Sequence, residues 1–128
     1  MSKAHKHILE QANAAVVRGD HEGFLAFCTE DTHWTFLGDR TLQGKQAIRQ
    51  WMDTTYKAGP PQLKVHRMVS EEDCLTAIGE IVLTDADGRQ TQFAYCDVWR
   101  FREGKLDALH AFVVETDEDV SAVASQRP

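Results

Sequence analysis

From Ala4 to Val17 the apolar residues Ile8, Leu9, Ala12, Ala15 and Val16 recur at helical spacing, which predicts an amphipathic helix. Gly19 stops it. Asp20 can cap a second helix, whose Phe24, Leu25, Phe27 and Cys28 form one stripe. Thr29-Glu30-Asp31 reads as a break. His33-Trp34-Thr35-Phe36-Leu37 then reads as a short strand, because aromatic and β-branched side chains suit a half-buried pleated surface. Gly38-Asp39-Arg40 is a turn. A third helix is predicted from Lys45 to Tyr56, with Ile48, Trp51, Met52 and Thr55 on one face, and Gly59-Pro60-Pro61 ends it.

Beyond Pro61 the pattern is that of strands. The candidates are Gln62 to Val69, Cys74 to Thr84, Gln90 to Phe101 and Leu106 to Glu115. Tight turns at Asp85-Ala86-Asp87-Gly88 and Glu103-Gly104 join the later ones into an antiparallel meander. Helices first and strands after predict an α+β fold, with helices covering one face of a curved sheet. No repeat, low-complexity run or linker interrupts the chain. Residues 1–128 therefore read as a single domain, with an ordered core over 4–116 and a polar, acidic tail over 117–128.

Composition narrows the function classes. With 128 residues, 42% hydrophobic and 27% charged, the chain reads as an ordinary soluble domain. Its 14 basic residues are scattered among 20 acidic ones, which excludes a nucleic-acid binder, since phosphates demand clustered Lys and Arg. No apolar run is long enough for a membrane span. No apolar signal region follows the basic N-terminus, so a cytoplasmic protein is expected. Cys28, Cys74 and Cys96 lie far apart without a CxxC pair, which argues against a zinc site or a disulfide framework. His5 and His7 diverge on a helix, so no metal site is expected there. His66, beside Lys64 and Arg67, and Glu80 read as solvated positions.

The strand from Phe93 to Phe101 carries the chemistry. Its odd positions are Phe93, Tyr95, Asp97, Trp99 and Phe101, so four aromatic side chains share a face with one carboxylate. Desolvation raises the pKa of such a group, which then needs a partner or a task. A two-residue turn at Glu103-Gly104 would set Asp97 opposite His110, Tyr95 opposite Phe112 and Arg100 opposite Asp107. A three-residue turn would set Asp97 opposite Leu109. We prefer the first register, which keeps apolar residues against apolar ones. An Asp97–His110 pair in an apolar wall is an acid–base device, or else a buried pair that satisfies its own hydrogen bonds. In the preceding hairpin, a three-residue turn sets Gly79 opposite Tyr95 and Ala77 opposite Asp97. Small residues facing large ones would leave room above the carboxylate. Trp34, Trp51, Met52 and Tyr56 either line a cavity between helix and sheet or pack as ordinary core.

The order of these features is itself a signature. Arg18-Gly19-Asp20 breaks two N-terminal helices, and Thr29-Glu30-Asp31-Thr32 leads into a Trp-bearing strand. Gly44-Lys45-Gln46-Ala47-Ile48 opens the third helix, and Asp97-Val98-Trp99-Arg100-Phe101 with Gly104-Lys105-Leu106 closes the sheet. The chain resembles the nuclear transport factor 2-like superfamily, in its SnoaL-like and ketosteroid-isomerase-like branch, over Ile8 to Glu115. That resemblance implies a cone-shaped, cystatin-like roll: three helices against a strongly curved mixed sheet, an internal pocket, and a homodimer. It also implies that Asp97, in an Asp-Val-x-Arg-Phe context, matches the acid that stays protonated in ketosteroid isomerases. The isomerase base position holds Phe36 and the tyrosine position on the first helix holds Ala12, so steroid isomerisation is not implied. SnoaL-type cyclases use an Asp with a nearby His, roles that Asp97 and His110 would fill. The expected function is thus a pocket for a small hydrophobic, carbonyl-bearing ligand. Trp34, Phe36, Trp51, Tyr56, Tyr95, Trp99 and Phe112 would shape it, and Asp97 with His110 would carry isomerase, cyclase or dehydratase chemistry without a cofactor or metal. The alternative is a binding or dimerisation module of the same fold.

Overall fold

The computed structural model describes residues 2–116; the expected polar tail lies outside them. Helix α1 (Ser2–Val17) is followed by α2 (His21–Leu25). Gly19 separates them in the left-handed conformation, φ 79°. Asp20 caps α2, its side chain accepting from the Gly23 amide at 2.9 Å. Next come β1 (Cys28–Phe36), β2 (Arg40–Gln43) and α3 (Lys45–Thr55). Then follow β3 (Gln62–Glu71), β4 (Cys74–Thr84), β5 (Gln90–Arg102) and β6 (Lys105–Glu115). The six strands form one sheet in the order β2-β1-β6-β5-β4-β3. Only β1 and β6 run parallel, so the sheet is mixed.

Two expectations change at β1. Thr29-Glu30-Asp31 is no break but the first part of the strand, because the Thr29 hydroxyl bonds the Asp107 carboxylate across to β6 at 2.8 Å. The segment Arg40–Gln43, of which the sequence pattern places only Arg40, in the turn, pairs with β1 as an edge strand.

Leu9, Ala12 and Val16 of α1, Phe24 and Leu25 of α2, and Ile48 and Met52 of α3 are buried with Trp34, Leu75, Ala77, Tyr95, Trp99, Leu109 and Ala111 of the sheet. These sheet positions share the face that carries Asp97, so the helices roof that face and leave the other uncovered.

The β4–β5 hairpin has the expected register, with Gly79 opposite Tyr95 and Ala77 opposite Asp97. The β5–β6 hairpin does not keep it. Glu103 (φ 51°) and Gly104 (φ 77°) form the two-residue turn, and Phe101 opposes Leu106 as that turn dictates. A bulge then shifts the pairing, so that Arg100 opposes Ala108 and Asp107 is the extra residue. Asp107 is held there by the Thr29 hydroxyl and by Arg102 Nε at 3.2 Å, rather than by Arg100. Beyond the bulge, Asp97 opposes Ala111 and His110 opposes Val98.

A second bulge, between Val65 and Arg67, makes His66 the extra residue of β3. His66 Nε2 meets Glu80 Oε2 at 2.8 Å and Gln92 Nε2 donates to Glu80 Oε1 at 2.6 Å. The expectation of two solvated side chains is therefore corrected: Glu80 is buried, and partners rather than water satisfy its carboxylate.

Candidate active site

Between the helical roof and the sheet lies a cavity of about 370 Å³. From α1, Leu9, Asn13 and Val16 face it, from α2, Phe24, and from α3, Trp51 and Met52, with Tyr56 just beyond the helix end. Trp34 and Phe36 come from β1, Ala77 and Ile81 from β4, and Phe93, Tyr95, Asp97 and Trp99 from β5. Leu109, Ala111 and Val113 of β6 close the wall, with Leu37 and Asp39 on the exposed β1–β2 connection.

Trp34 is the centre of the aromatic wall. Its ring meets Phe24, Trp51 and Trp99 edge to face, with centroids 5.7, 5.7 and 5.8 Å away. Its indole N–H is buried and has no hydrogen-bond partner among the described residues. Trp51 passes the contact on to Tyr56, centroid 5.6 Å away. Ion pairs outside the cavity hold this end of α3: Arg49 binds Glu22 of α2 through two nitrogens, at 2.6 and 2.9 Å, and His21 Nδ1 meets Asp53 Oδ1 at 2.9 Å.

Among the described residues Asp97 is the only carboxyl in the interior of the cavity; Asp39 is exposed at its rim and pairs with its neighbour Arg40. Asp97 makes no hydrogen bond or ion pair among the described residues, and burial pushes its pKa up to about 7. Burial, and the nearby Asp97 charge after it, push the Tyr56 and Tyr95 phenols far above their ordinary range. Both therefore stay protonated and serve as donors. Burial likewise pushes the Cys28 thiol up to about 12, which leaves it inert.

Gly79 sets the height of Tyr95. A Cβ there would stand 2.8 Å from the Tyr95 hydroxyl and 2.3 Å from the Lys64 carbonyl oxygen. The space that a small residue opens at this point is filled by the phenol, while the space above Asp97 lies over Ala77.

The structure gathers Trp34, Phe36, Trp51, Tyr56, Tyr95, Asp97 and Trp99 around one cavity. It leaves out His110 and Phe112. The β6 bulge turns both to the uncovered face, where His110 is exposed and Phe112 is 43% exposed; Ala111 and Val113 take the inward positions. The Asp97–His110 pair is not formed. Asn13 is the polar lining residue that sequence reasoning missed. It lies four residues after Leu9 and three before Val16, both read as apolar-stripe positions, so helical spacing could have found it.

Among the described residues no cluster of three or more His, Cys, Asp or Glu is arranged to hold a metal ion, and no helix is long and apolar enough to cross a membrane.

The family model of the SnoaL-like domain matches residues 9–109. No curated protein matches the chain. Solved structures share its fold at low identity. One is SalBIII, an epoxide hydrolase/cyclase-like enzyme in pyran ring formation in the polyether salinomycin. It is 18% identical, with a TM-score of 0.80 over 88% of this chain and 92% of that one. An LEH-like epoxide hydrolase of M. tuberculosis is 14% identical, with a TM-score of 0.79 over 88% and 84%. A putative polyketide cyclase of Xanthomonas campestris is 16% identical, with a TM-score of 0.77 over 87% and 90%.

Proposed function

The chain belongs to the SnoaL-like family of the nuclear transport factor 2-like superfamily, and from that premise we propose that it binds a small hydrophobic, carbonyl-bearing molecule and moves a proton on it. The observation that carries this reading is Asp97: an unpartnered carboxyl, with pKa about 7, facing an apolar cavity. A group with that pKa exists in both forms at neutral pH, which suits a proton shuttle. Ionised Asp97 takes a proton from the carbon next to the carbonyl; the C–H electron pair becomes the new C=C bond and the carbonyl π pair moves onto oxygen, giving an enolate. The Tyr56 and Tyr95 phenols, both close enough to feel the Asp97 charge, are donors able to stabilise that oxygen. Protonated Asp97 then returns the proton to the same or a conjugated carbon, and the carbonyl reforms. The step balances without a cofactor. The volume suits a mono- or bicyclic ligand, at the small end of the roughly 300–1,000 Å³ typical of ligand sites.

Exchange of the α-protons of 2-tetralone in D₂O, followed by NMR, tests this. The protein is expected to accelerate exchange, with kcat/KM rising as pH climbs through about 7, because the base must be ionised. Asp97→Asn is expected to cut the rate by about 100-fold or more. A rate indifferent to that substitution removes the chemical role.

The cavity contains no histidine and no second interior carboxyl among the described residues, which favours a second reading: binding without turnover. A ligand that raises Tm while exchange stays at the background rate would select it. Three companion readings belong to the proposal. Residues 1–128 act as one domain; the chain pairs as a homodimer; and it works in the cytoplasm, where three unpaired cysteines remain reduced.

A further inference from the structure

We infer that the cavity selects for positive charge, as a site for small lipophilic ammonium ions with Asp97 as counter-charge and the surrounding indole and phenol rings as a cage. The inference rests on the same cavity as the function above but not on turnover. Three observations carry it. Eight of the lining side chains are aromatic, and an aromatic face attracts a cation. Asp97 has no cationic or donor partner among the described residues. No Lys, Arg or His lines the cavity among them either.

The charges facing Asp97 can be followed element by element. The end of α3 contributes the Tyr56 phenol and β5 contributes Tyr95, both neutral at ordinary pH. Cys96 stands next to Asp97 in the chain but on the opposite face of the strand. Helix α1 contributes Asn13, an uncharged amide, and β4 and β6 contribute only apolar side chains. At the mouth, the exposed Asp39 is paired with Arg40, so that pair adds no net charge. Nothing lining the cavity repels a cation. An alkylammonium ion also removes the reason Asp97 resists ionisation: the ion supplies the missing counter-charge in a dry site, where attraction is strongest. A neutral ligand of equal shape gains the apolar contacts but not this term.

Phenyltrimethylammonium and its uncharged isostere tert-butylbenzene isolate the charge. Both are small enough for the cavity, and the chain's three tryptophans all line it, so intrinsic fluorescence reports binding. Near pH 8.5 the cation is expected to bind at least about tenfold tighter than the isostere. The preference should shrink as pH falls through about 7, when Asp97 takes up its proton. Asp97→Asn should remove most of the preference and leave only the part that the rings supply. Equal affinities of the two probes for the wild-type protein near pH 8.5, or a preference that Asp97→Asn leaves undiminished, overturn the inference. The two readings of the cavity can fail separately. Cation preference without 2-tetralone exchange supports this inference and counts against turnover, and exchange without cation preference does the reverse.

Discussion

Among the described residues Asp97 has no partner to stabilise its charge, and this has a thermodynamic consequence apart from any reaction. Its folded pKa of about 7 stands above the roughly 3.9 of an unfolded aspartate. Between those two values the folded state holds the proton more tightly. The stabilisation is therefore complete below about pH 4 and is lost as pH rises through about 7. Fully ionised, the group weighs against folding by on the order of 4 kcal/mol. Asp97→Asn, which never ionises, should leave stability at pH 4 nearly unchanged and raise it by a few kcal/mol at pH 8.5, as urea unfolding would measure. An equal effect at both pH values would mean that the carboxyl is solvated. The isolation of Asp97 was legible in the chain, because strand alternation alone sets it among Phe93, Tyr95, Trp99 and Phe101. The failure of its pairing with His110 was not. One extra residue at Asp107 reverses every side chain after it, and the groups that hold the bulge are Thr29, far away in sequence, and Arg102.

At the scale of elements, local chemistry decided what could be read. Asp20 and Gly19 punctuate the first two helices, and the Asp85–Gly88 turn fixes the β4–β5 register down to Gly79 opposite Tyr95. Strand β2 went unseen because its four residues, Arg40-Thr41-Leu42-Gln43, carry a single apolar side chain. Only the exposed edge of β1 makes them a strand. The Gly79 position also gives an element-scale test. A methyl group there would crowd the Lys64 carbonyl at 2.3 Å, a backbone atom that can yield only by opening the β3–β4 pairing, and would crowd the Tyr95 hydroxyl at 2.8 Å. Gly79→Ala is therefore expected to cost about 2 kcal/mol or more and to tip the Tyr95 ring into the cavity, weakening tert-butylbenzene binding. Unchanged stability and unchanged affinity would show that the two strands have slack at this point. The effect belongs to the hairpin: either neighbour of the glycine could move alone, but the pairing fixes both.

On the scale of the whole molecule, the roofed face of the sheet explains the cavity, and the uncovered face bears on assembly. Cross-strand rows on that face run from polar to apolar. Lys64, Glu80, Ala94 and Val114 form one row, and Arg67, Ile78, Cys96 and Phe112 the next. Phe112 and Val114 stand 43% and 66% exposed at the β6 end, and Val69 is 51% exposed on the same face of β3. Single exposed apolar residues are ordinary, but a sheet face that carries them at both sides and has no helix over it suits an isologous contact with a second copy. The homodimer proposed above would use this face, and the bulge that turned Phe112 out of the cavity would then supply part of the contact. Sedimentation should find a dimer at micromolar concentration. Phe112→Lys should raise the dimer dissociation constant by about 10- to 100-fold, because a buried ammonium in an apolar contact costs roughly 1.4–3 kcal/mol. Proton exchange on 2-tetralone should continue unchanged in that variant, since Phe112 does not touch the cavity. A wild-type chain that sediments as a monomer at high concentration would end the dimer proposal and leave the cavity chemistry standing, because no cavity side chain depends on that face.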